Sequence, residues 1–408
     1  MSESTTADRC RELRRRRGMT QEELAEKAGV SITSVRKIEQ GGQVRMETLN
    51  KLARALNVVT VTFAAPTSPE PQEASIDDLV LAEMRSAIHP PISLTGQPIF
   101  GLTPAGQPNL HQLRNAVRSV AVAYHADRYD DLAGIMPALV RSAHHHVEAF
   151  DAGQDHHEAV RLRADITGLA GRYLIQIRAH DLALIALQTS LRDAVEIGDI
   201  PLAASAVSSQ AWAMLRQGRL GEVEQLCIKA ADEIEPKMST ATSDQLASWA
   251  WLLVRAAAAA SRNNRSDEAR EYASVARTAG ARMEREEDDL PGHVSFGPVS
   301  AGVAGPEVEL VAGRPDAALR LAERIPRGAG HASTSTWSRH WVDVARAHVG
   351  VGEPDRATEI MTRLRLEHPE WLRYQQPARD AVREILATRP RMPSEEQRTL
   401  AEFMNVEG

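Results

Sequence analysis

The stretch "TQEELAEKAGVSITSVRKIEQG", residues 20–41, decides the fold of the N-terminal part of the chain. Thr20 begins Thr-Gln-Glu-Glu, a capping box in which the threonine hydroxyl caps a helix and Glu23 reaches back to the cap backbone. Gly29 permits the left-handed turn that ends this helix. Ser31 caps the next helix, which we expect to stop at the glycine that closes the stretch. The capping chemistry predicts two short helices joined by a tight turn.

The spacing inside these two helices indicates how they pack. Ala25 is small where the helices would cross, Gly29 makes the turn, and Val35 packs the second helix against the first. Small, glycine and aliphatic residues at this spacing are the signature of a helix-turn-helix. A preceding helix "RELRRRR" can end at Gly18, and "METLNKLARALN", residues 46–57, adds a helix with one apolar face. The sequence therefore predicts a bundle of four short helices.

With these elements in register, residues 8–63 resemble the DNA-binding domain of the Xre (lambda-repressor-like) family. The matching segments are "LRRRRGMTQEELAEKAGVS", "VRKIEQG" and "LNKLARALNV". The resemblance implies that double-stranded DNA is a partner and that the third helix lies in its major groove. The alternative is a small helical protein-interaction domain, which the agreement of the turn signals and the lack of acidic residues on the groove-facing side disfavour.

The resemblance also implies roles for individual residues. Lys37 fits the position that meets guanine O6 and N7, Thr33 can hydrogen-bond several bases, and Ile32 can lie on a thymine methyl group. Further residues would face the groove or clamp phosphates: Ser34, Arg36, Gln21, Ser31, Arg45 and the cluster Arg15, Arg16 and Arg17. Arg14 and Glu39 occupy positions that often form a structural ion pair in this family, so Arg14 is not counted as a DNA contact.

The charge distribution agrees with a small module that faces nucleic acid. Residues 1–65 hold 12 Lys and Arg against 8 Asp and Glu, whereas the whole chain has a net charge of −7. The sequence shows no membrane span and no signal-peptide core, so we expect a cytoplasmic protein. Two cysteines, Cys10 and Cys227, cannot build a metal cage or a disulfide framework. No catalytic motif occurs, so we expect neither enzyme activity nor a cofactor.

Residues 1–65 form the predicted helix-turn-helix domain, and residues 66–108 form a predicted linker. "APTSPEPQE" and "HPPISLTGQPIFGLTPAGQPN" are rich in Pro, Gly and Ser, as in a semi-stiff connection. Between them, "SIDDLVLAEMRSAI" predicts one amphipathic helix that could pack on the body or on its copy in a partner. The β-branched run "NVVTVTFAAP", residues 57–66, is either an edge strand that pairs two heads or an extended exit into the linker.

Residues 109–408 are helical by pattern and repetitive. Six turn-like stretches recur, each followed by a helix rich in Ala and Leu, and they are marked by Arg128, His180, Gly218, Asn264, Gly313 and Gly352. Helix, turn and close alanine crossing are typical of tetratricopeptide-like repeats, although the spacing here is irregular. We therefore predict an all-α protein in which a lambda-repressor-like head precedes an irregular tetratricopeptide-like α-solenoid.

Such a solenoid leaves a concave groove for an effector. A head and body of these kinds resemble bacterial regulators, with a large actinobacterial group among them. In the members that bind a signalling peptide, asparagines line the groove. Asparagine is rare in this body, which weighs against a peptide effector and leaves a small molecule as the alternative. The repeat pattern breaks at residues 284–310, a long loop insertion beside which we place a candidate effector pocket formed by Phe296, Trp337, Arg339 and Trp341, with Trp249 and Trp251 nearby. The alternative is that the tryptophans belong to the repeat core.

The leading hypothesis is a sequence-specific transcriptional regulator that binds a two-fold related operator as a homodimer, with effector or partner sensing by the repeats. The alternatives are a scaffold whose head only tethers a partner protein to DNA, and an antitoxin-like binder. The histidine runs at residues 144–146 and 156–157 invite a metal hypothesis. Consecutive histidines cannot share a metal on one helix face, so we expect solvated histidines or a modest pH response and no metal.

Overall fold

The computed structural model describes residues 6–16, 19–42, 46–56, 76–94, 99, 107–326, 332–388 and 393–406. These residues form an all-α protein in which a two-stranded antiparallel sheet is the one β element described. Within the same ranges, no helix combines the length and the apolar character needed to cross a lipid bilayer. The predicted all-α class is confirmed.

Four helices make up the N-terminal domain: α1 (Thr6–Arg16), α2 (Gln21–Ala28), α3 (Ile32–Glu39) and α4 (Met46–Ala55). They enclose an apolar core in which Leu24, Val35 and Leu52 are fully buried. Burying one such aliphatic side chain contributes about 1.5–3 kcal/mol. The described core contains no aromatic side chain, so its stability rests on aliphatic packing.

The predicted caps of α2 and α3 are present. The Thr20 hydroxyl accepts a 3.1 Å hydrogen bond from the Glu23 N–H, and the Glu23 carboxylate accepts one of 2.7 Å from the Thr20 N–H. Gly29 ends α2 in the left-handed conformation at φ 62°. Ser31 Oγ caps α3 by accepting a 3.1 Å bond from the Ser34 N–H. Because these bonds are local, the boundaries of both helices follow from the residues beside them.

Two expectations for this part of the chain fall outside the described residues. One is the helix stop at Gly18, and the other is the β-branched run at residues 57–66.

The body is built from antiparallel helix pairs joined by short turns. The six pairs are α6 (Leu110–His125) with α7 (Tyr129–Ala149), α8 (Gly153–Gln176) with α9 (His180–Glu196), α10 (Ile200–Arg216) with α11 (Leu220–Glu233), α12 (Ser243–Arg262) with α13 (Ser266–Met283), α15 (Ala304–Val311) with α16 (Pro315–Ala322), and α17 (Thr334–Gly350) with α18 (Pro354–Glu367). The short α19 (Pro369–Arg373), then α20 (Gln376–Ala387) and α21 (Glu395–Phe403), complete the C-terminal end.

All six turns predicted from the sequence lie between paired helices. Each turn contains a residue in the left-handed conformation, and these residues are Asp127, Arg178, Gly218, Asn264, Gly313 and Gly352. A turn this tight needs a residue with positive φ, which glycine adopts without steric cost and which asparagine and aspartate tolerate. This requirement explains why glycine and asparagine mark most of the repeats in the sequence.

The pairs stack side by side into a solenoid. The first helix of each pair contacts the first helix of the next, in the order α6, α8, α10, α12, α15, α17 and α20. Small residues allow close approach within the pairs. At Gly171 in α8, an added Cβ would lie 2.5 Å from Leu187 Cγ in α9. The buried alanines Ala256, Ala257 and Ala260 have the same role in α12.

The helix inside the predicted linker packs on the body. This helix, α5 (Ile76–Ile88), contacts α7 and α9, and Met84 and Ala87 are fully buried there. Of the two arrangements considered from the sequence, the structure shows packing on the body. The helical body therefore begins before residue 109, at α5.

The insertion after α13 is folded. Strand β1 (Glu287–Leu290) pairs with β2 (Val294–Phe296) in a short antiparallel hairpin, and α14 (Pro298–Gly302) follows. The expectation of a long irregular loop is corrected here, because backbone pairing and the burial of Leu290 and Phe296 hold the segment.

The C-terminal end of the solenoid contacts its beginning. The Tyr374 and Tyr129 ring centroids lie 6.3 Å apart. Gln375 Nε2 donates a 3.2 Å hydrogen bond to the side-chain oxygen of Gln176, 199 residues earlier. The array therefore returns on itself, and the first helices of the pairs surround an interior cavity.

Candidate functional site

The outward side of α3 is polar and accessible. Thr33, Arg36 and Lys37 are exposed, whereas Ile32 and Ser34 are half-buried. The opposite side is apolar: Val35 and Ile38 are buried in the core of the domain. Because burial fixes the inward residues, the outward set keeps the orientation that a helix needs to enter a DNA groove.

Ser31 and Ser34 lie together at the N-terminus of α3. Their hydroxyl oxygens are 2.9 Å apart, and Ser31 Oγ also accepts from the Ser34 N–H. Ser31 is exposed. Free N–H groups and the positive end of the helix dipole make such a terminus suited to a phosphate.

A buried ion pair links α1 to α3. Arg14 donates to both carboxylate oxygens of Glu39, with an Nε–Oε1 distance of 2.6 Å and an Nη2–Oε2 distance of 3.0 Å. Gln21 Nε2 donates to the same carboxylate at 2.7 Å. Burial alone would raise the pKa of Glu39, but the hydrogen bonds from Arg14 and Gln21 outweigh burial and lower it. The predicted pair is present, and Gln21 belongs to it.

Arg36 has an acidic neighbour that the sequence did not reveal. Its Nη2 lies 3.1 Å from Glu22 Oε1, across from α3 to α2, and both side chains are more than half exposed. An exposed pair of this kind contributes about 0–1 kcal/mol. A phosphate could therefore displace Glu22 at little cost, but Glu22 corrects the expectation that this side of the domain lacks acidic residues.

Lys37 is positioned by the chain that leaves α3. The Gly42 N–H donates a 2.8 Å hydrogen bond to the Lys37 carbonyl. A Cβ added at Gly42 would lie 2.6 Å from Lys37 Cγ, so the absence of a side chain leaves room for the lysine stem. Among the other predicted contacts, Arg15 is exposed, while Arg45, Arg17 and the side chain of Arg16 lie outside the described residues.

Of the four residues of the predicted effector pocket, the structure brings Trp337 and Trp341 together, edge to face with ring centroids 5.7 Å apart, but it does not form one wall from all four. Phe296 is fully buried and packs edge-on against Trp251, with ring centroids 5.4 Å apart. Trp337 packs on a small apolar cluster next to α14. The guanidinium carbon of Arg363 lies 4.5 Å from the ring centroid of Trp341. Of the four, Arg339 lines the interior cavity. For Phe296 this corrects the expectation of a ligand-facing ring.

The cavity itself has a volume of about 100 Å³. Its wall comes from the first helices of successive pairs and from the β1–β2 hairpin. Residues that carry its chemistry are Tyr124, Arg172, Trp212, Arg255, Arg339 and Asp343. Seven serine residues line the same wall, and four of them lie on α10 and α12: Ser205, Ser208, Ser209 and Ser248.

Arginines and tryptophans stack at the centre of this cavity. The Arg255 guanidinium carbon lies 5.3 Å from the Trp212 ring centroid and 4.9 Å from that of Trp251. Arg339 lies 5.4 Å from the Trp212 ring, and Arg172 lies 5.7 Å from the Tyr124 ring. Cation–π contacts of this kind are worth about 0.5–2 kcal/mol each and hold the guanidinium planes in place.

The β1–β2 hairpin closes one side of the cavity. Arg172 donates to the Gly292 carbonyl oxygen, and the His125 ring is 2.7 Å from the His293 carbonyl oxygen. Trp251 Nε1 donates a 3.1 Å bond to the Ser295 carbonyl. The insertion identified in the sequence is therefore part of the cavity, through its backbone carbonyls rather than through Phe296.

Sequence reasoning missed Arg172 and Arg255. Both stand inside otherwise apolar helical segments, "GLAGRYLIQ" and "WLLVRAAAAA". A charged residue at a core position of an amphipathic helix is a signal for a polar interior site, because burying a charge without a partner is costly. The sequence-based prediction instead relied on the tryptophans near the insertion, and it therefore included Arg339 but neither Arg172 nor Arg255.

One histidine from each run, His146 and His156, makes structural contacts. His146 is buried: its Nε2 accepts a 2.9 Å bond from the Asn109 N–H, and its Nδ1 lies 2.7 Å from the Ser142 carbonyl oxygen. His156 Nδ1 lies 2.6 Å from the Phe150 carbonyl oxygen. His146 and His156 therefore differ from the solvated histidines expected from the sequence, whereas His157 is exposed, as expected.

Comparison with known proteins identifies the N-terminal domain. A protein-family model described as "Helix-turn-helix" matches residues 11–63. No curated protein sequence matches the chain. A solved structure of Bacillus thuringiensis PlcR in complex with the peptide PapR7 and DNA is similar at 11% identity, over 88% of this chain and 99% of that chain, with a TM-score of 0.34. The family match confirms the helix-turn-helix prediction for the head.

Proposed function

We propose that the chain is a sequence-specific DNA-binding transcriptional regulator that binds its operator as a homodimer and senses an effector through its helical body. The observation that carries the proposal is the exposed polar side of α3, with Thr33, Arg36 and Lys37 outward and its apolar side fixed in the core. A protein-interaction domain has no need of basic and hydroxyl side chains arranged on a rigid helix beside a capped N-terminus.

The contacts would divide into two kinds. Lys37 and Thr33 reach base edges and supply sequence preference, whereas Ser31, Gln21 and Arg36 contact phosphates and set the register of the domain on the duplex. Arg45 and Arg15 would add phosphate contacts. Phosphate contacts make binding depend steeply on salt, so affinity should fall as ionic strength rises.

One α3 helix is too short to read a full operator. Its eight residues span about 12 Å, which covers a few base pairs. Helix-turn-helix proteins solve this by presenting two such helices, one helical turn of DNA apart, from a two-fold dimer. We therefore expect a homodimer on a two-fold related operator, with the spacing of the heads as the quantity that an effector changes.

Selection of bound genomic fragments with the purified full-length chain tests the proposal. The expected result is enrichment of a sequence with two related half-sites, bound at least about 10³-fold more tightly than random DNA, by a species of dimer mass in sedimentation. If bound fragments share no sequence while a protein partner is captured tightly, the scaffold or antitoxin-like alternative takes its place.

A further inference from the structure

The interior cavity holds more positive charge than its own carboxylates neutralise. Arg172, Arg255 and Arg339 reach it from α8, α12 and α17. None of the three forms a salt bridge with a carboxylate in the part of the chain that the structure describes. Three cations from three separate helices therefore converge on one small space.

The two acidic residues of the wall are engaged elsewhere or disfavour ionisation. Glu307 pairs with Arg262 at 2.7 Å. Burial, together with the nearby Glu307, raises the pKa of Asp343 to about 7, so its carboxyl is partly neutral at physiological pH. Arg346, which could offset Asp343, is itself paired with Glu384 at 2.8 Å. The net charge of the cavity wall is therefore positive.

Several polar atoms of the wall are buried and lack a hydrogen-bond partner. They include Arg172 Nε, Arg255 Nε, Ser205 Oγ and His340 Nδ1. Arg172, Ser205 and His340 are each at least nine-tenths buried. Buried polar groups are satisfied in the great majority of cases, so a cluster of unsatisfied donors around one cavity indicates a missing acceptor.

Burial disfavours the charged form of the three arginines. Burial and, to a lesser extent, the neighbouring Arg339 lower the pKa of Arg255 to about 10. Burial lowers the pKa of Arg172 and Arg339 as well. An anion in the cavity would reverse the effect by restoring hydrogen bonds and neutralising like charges that face one another.

We infer that this cavity binds a small oxyanion, namely the carboxylate or phosphate group of a compact organic molecule, held by Arg172, Arg255 and Arg339. The planar guanidinium offers paired N–H donors that match both groups. The unpaired hydroxyl of Ser205 on α10 supplies a further donor. A volume of about 100 Å³ accommodates a compact molecule and not an extended peptide.

The inference names the class of effector and rests on the proposed function for its regulatory meaning, while binding itself can be tested without DNA. A bound oxyanion would compete for Arg172 with the Gly292 carbonyl that now accepts from it. Binding would therefore act directly on the hairpin that closes the cavity. This gives the effector a physical route to the rest of the solenoid.

The experiment titrates the full-length chain with inorganic phosphate and, separately, with acetate, each against sodium chloride at matched ionic strength. Trp212 and Trp251 report binding through their fluorescence, because both lie against the arginines that would move. The expected result is a saturable change with at least one of the two oxyanions and a rise in Tm at saturation. Phosphate and acetate distinguish the tetrahedral from the planar group.

Two variants and one control assign the site. Arg255→Gln and Arg339→Gln should each weaken the apparent Kd at least tenfold, and two sites guard against one variant that fails to fold. Arg320→Gln, which removes an exposed arginine paired with Asp316 on α16, should leave the Kd unchanged. A response to neither anion beyond that of chloride, or equal responses in all variants, overturns the inference.

Binding to the selected operator is measured on the same preparations. If the chain binds the operator but shows no response to either oxyanion, the oxyanion site is rejected and the proposed DNA-binding function is kept. An oxyanion response in a chain that shows no sequence preference supports the cavity site and removes the proposed function.

Discussion

The side-chain carboxylate of Glu370 accepts a 2.9 Å hydrogen bond from the backbone N–H of Tyr129, a residue 241 positions earlier in the chain. The N–H of Asp130 approaches the same oxygen at 3.4 Å. Glu370 therefore caps the N-terminus of α7 from the far end of the solenoid. This contact joins the last repeats to the first and helps to enclose the cavity between them.

Glu370→Ala should loosen that closure. Losing a helix cap costs about 0.5–2 kcal/mol, and the unpaired N–H groups at the start of α7 would then be left to water. We expect a lower urea midpoint and a larger radius of gyration in solution scattering. Glu367→Ala, at an exposed position of the adjacent α18, is the matched control. Equal effects of the two substitutions would mean that Glu370 does not hold the ends together.

Stability should fall as pH rises because of Asp127. Burial is the main cause that raises the pKa of Asp127 from 3.8 to about 7. The hydrogen bond from the Tyr129 hydroxyl opposes the rise, and the negative charge of Glu370 adds to it. Between pH 4 and 7 the folded state keeps a proton that the unfolded state has lost. The contribution of Asp127 to the unfolding free energy is therefore complete below pH 4 and is lost as pH rises through 7.

Asp127→Asn should remove this dependence. The asparagine tolerates the left-handed conformation at φ 57° and cannot ionise. The variant should match the wild type at pH 4 and exceed it in unfolding free energy at pH 8, by on the order of 1.4 kcal/mol per unit of pKa shift. Urea unfolding at both pH values measures the difference. Asp131→Asn, an exposed neighbour 3.4 Å from Arg128, serves as control and should show no such divergence.

The caps and turns could be predicted from the sequence, whereas the contacts that enclose the cavity could not. Ser31, Gly29 and Asn264 act on residues next to them, so their chemistry is visible in a short window. Glu370 and Tyr129 come into contact because each stacked helix pair is rotated slightly relative to the one before it. The total rotation depends on all the pairs, so it cannot be predicted from a short stretch of sequence.

The candidate sites divide in the same way. The outward residues of α3 follow from helical periodicity, but Phe296 looked accessible only because the insertion was taken for a loop. The hairpin buries that ring, and the arginines of three distant helices form the cavity wall instead. Residues with unlike sequence surroundings converge there, which only the packing of the repeats determines.

Lys37→Ala and Gln21→Ala should weaken DNA binding in different ways. Removing the Lys37 ammonium should cost about 1–3 kcal/mol on the operator and relax preference at one base position. Gln21→Ala should weaken all sequences alike, because it removes a proposed phosphate contact and the hydrogen bond to Glu39, and neither carries base information. Fluorescence anisotropy on the operator and on single-base variants measures both. Lys27→Ala, an exposed lysine on α2 outside the predicted interface, is the control.

Glu22→Gln should strengthen binding to every sequence. The substitution removes a negative charge from the surface proposed to face DNA and releases Arg36, which now lies 3.1 Å from that carboxylate. A freed Arg36 contacts phosphate without first losing a partner, so the expected gain is a few-fold at low salt and declines as salt screens the charges. Anisotropy titrations at two salt concentrations measure it. A weaker complex would show that the pair positions Arg36 for DNA.

Gly292→Ala should displace the hairpin that closes the cavity. Gly292 has φ 77°, and an added Cβ would lie 3.0 Å from Ser205 Cβ and closer still to its hydroxyl. Gly198→Ala is a matched control, because Gly198 has φ 72° but nothing within 4 Å of its added Cβ. Both variants bear the left-handed strain of about 1–2 kcal/mol, and only the first meets a neighbour. Thermal unfolding should therefore show a greater loss for Gly292→Ala, together with altered fluorescence of Trp251. The second substitution Ser205→Ala should restore part of the loss, since it removes the nearest atom; if it restores none, the hairpin does not rest on α10 as described.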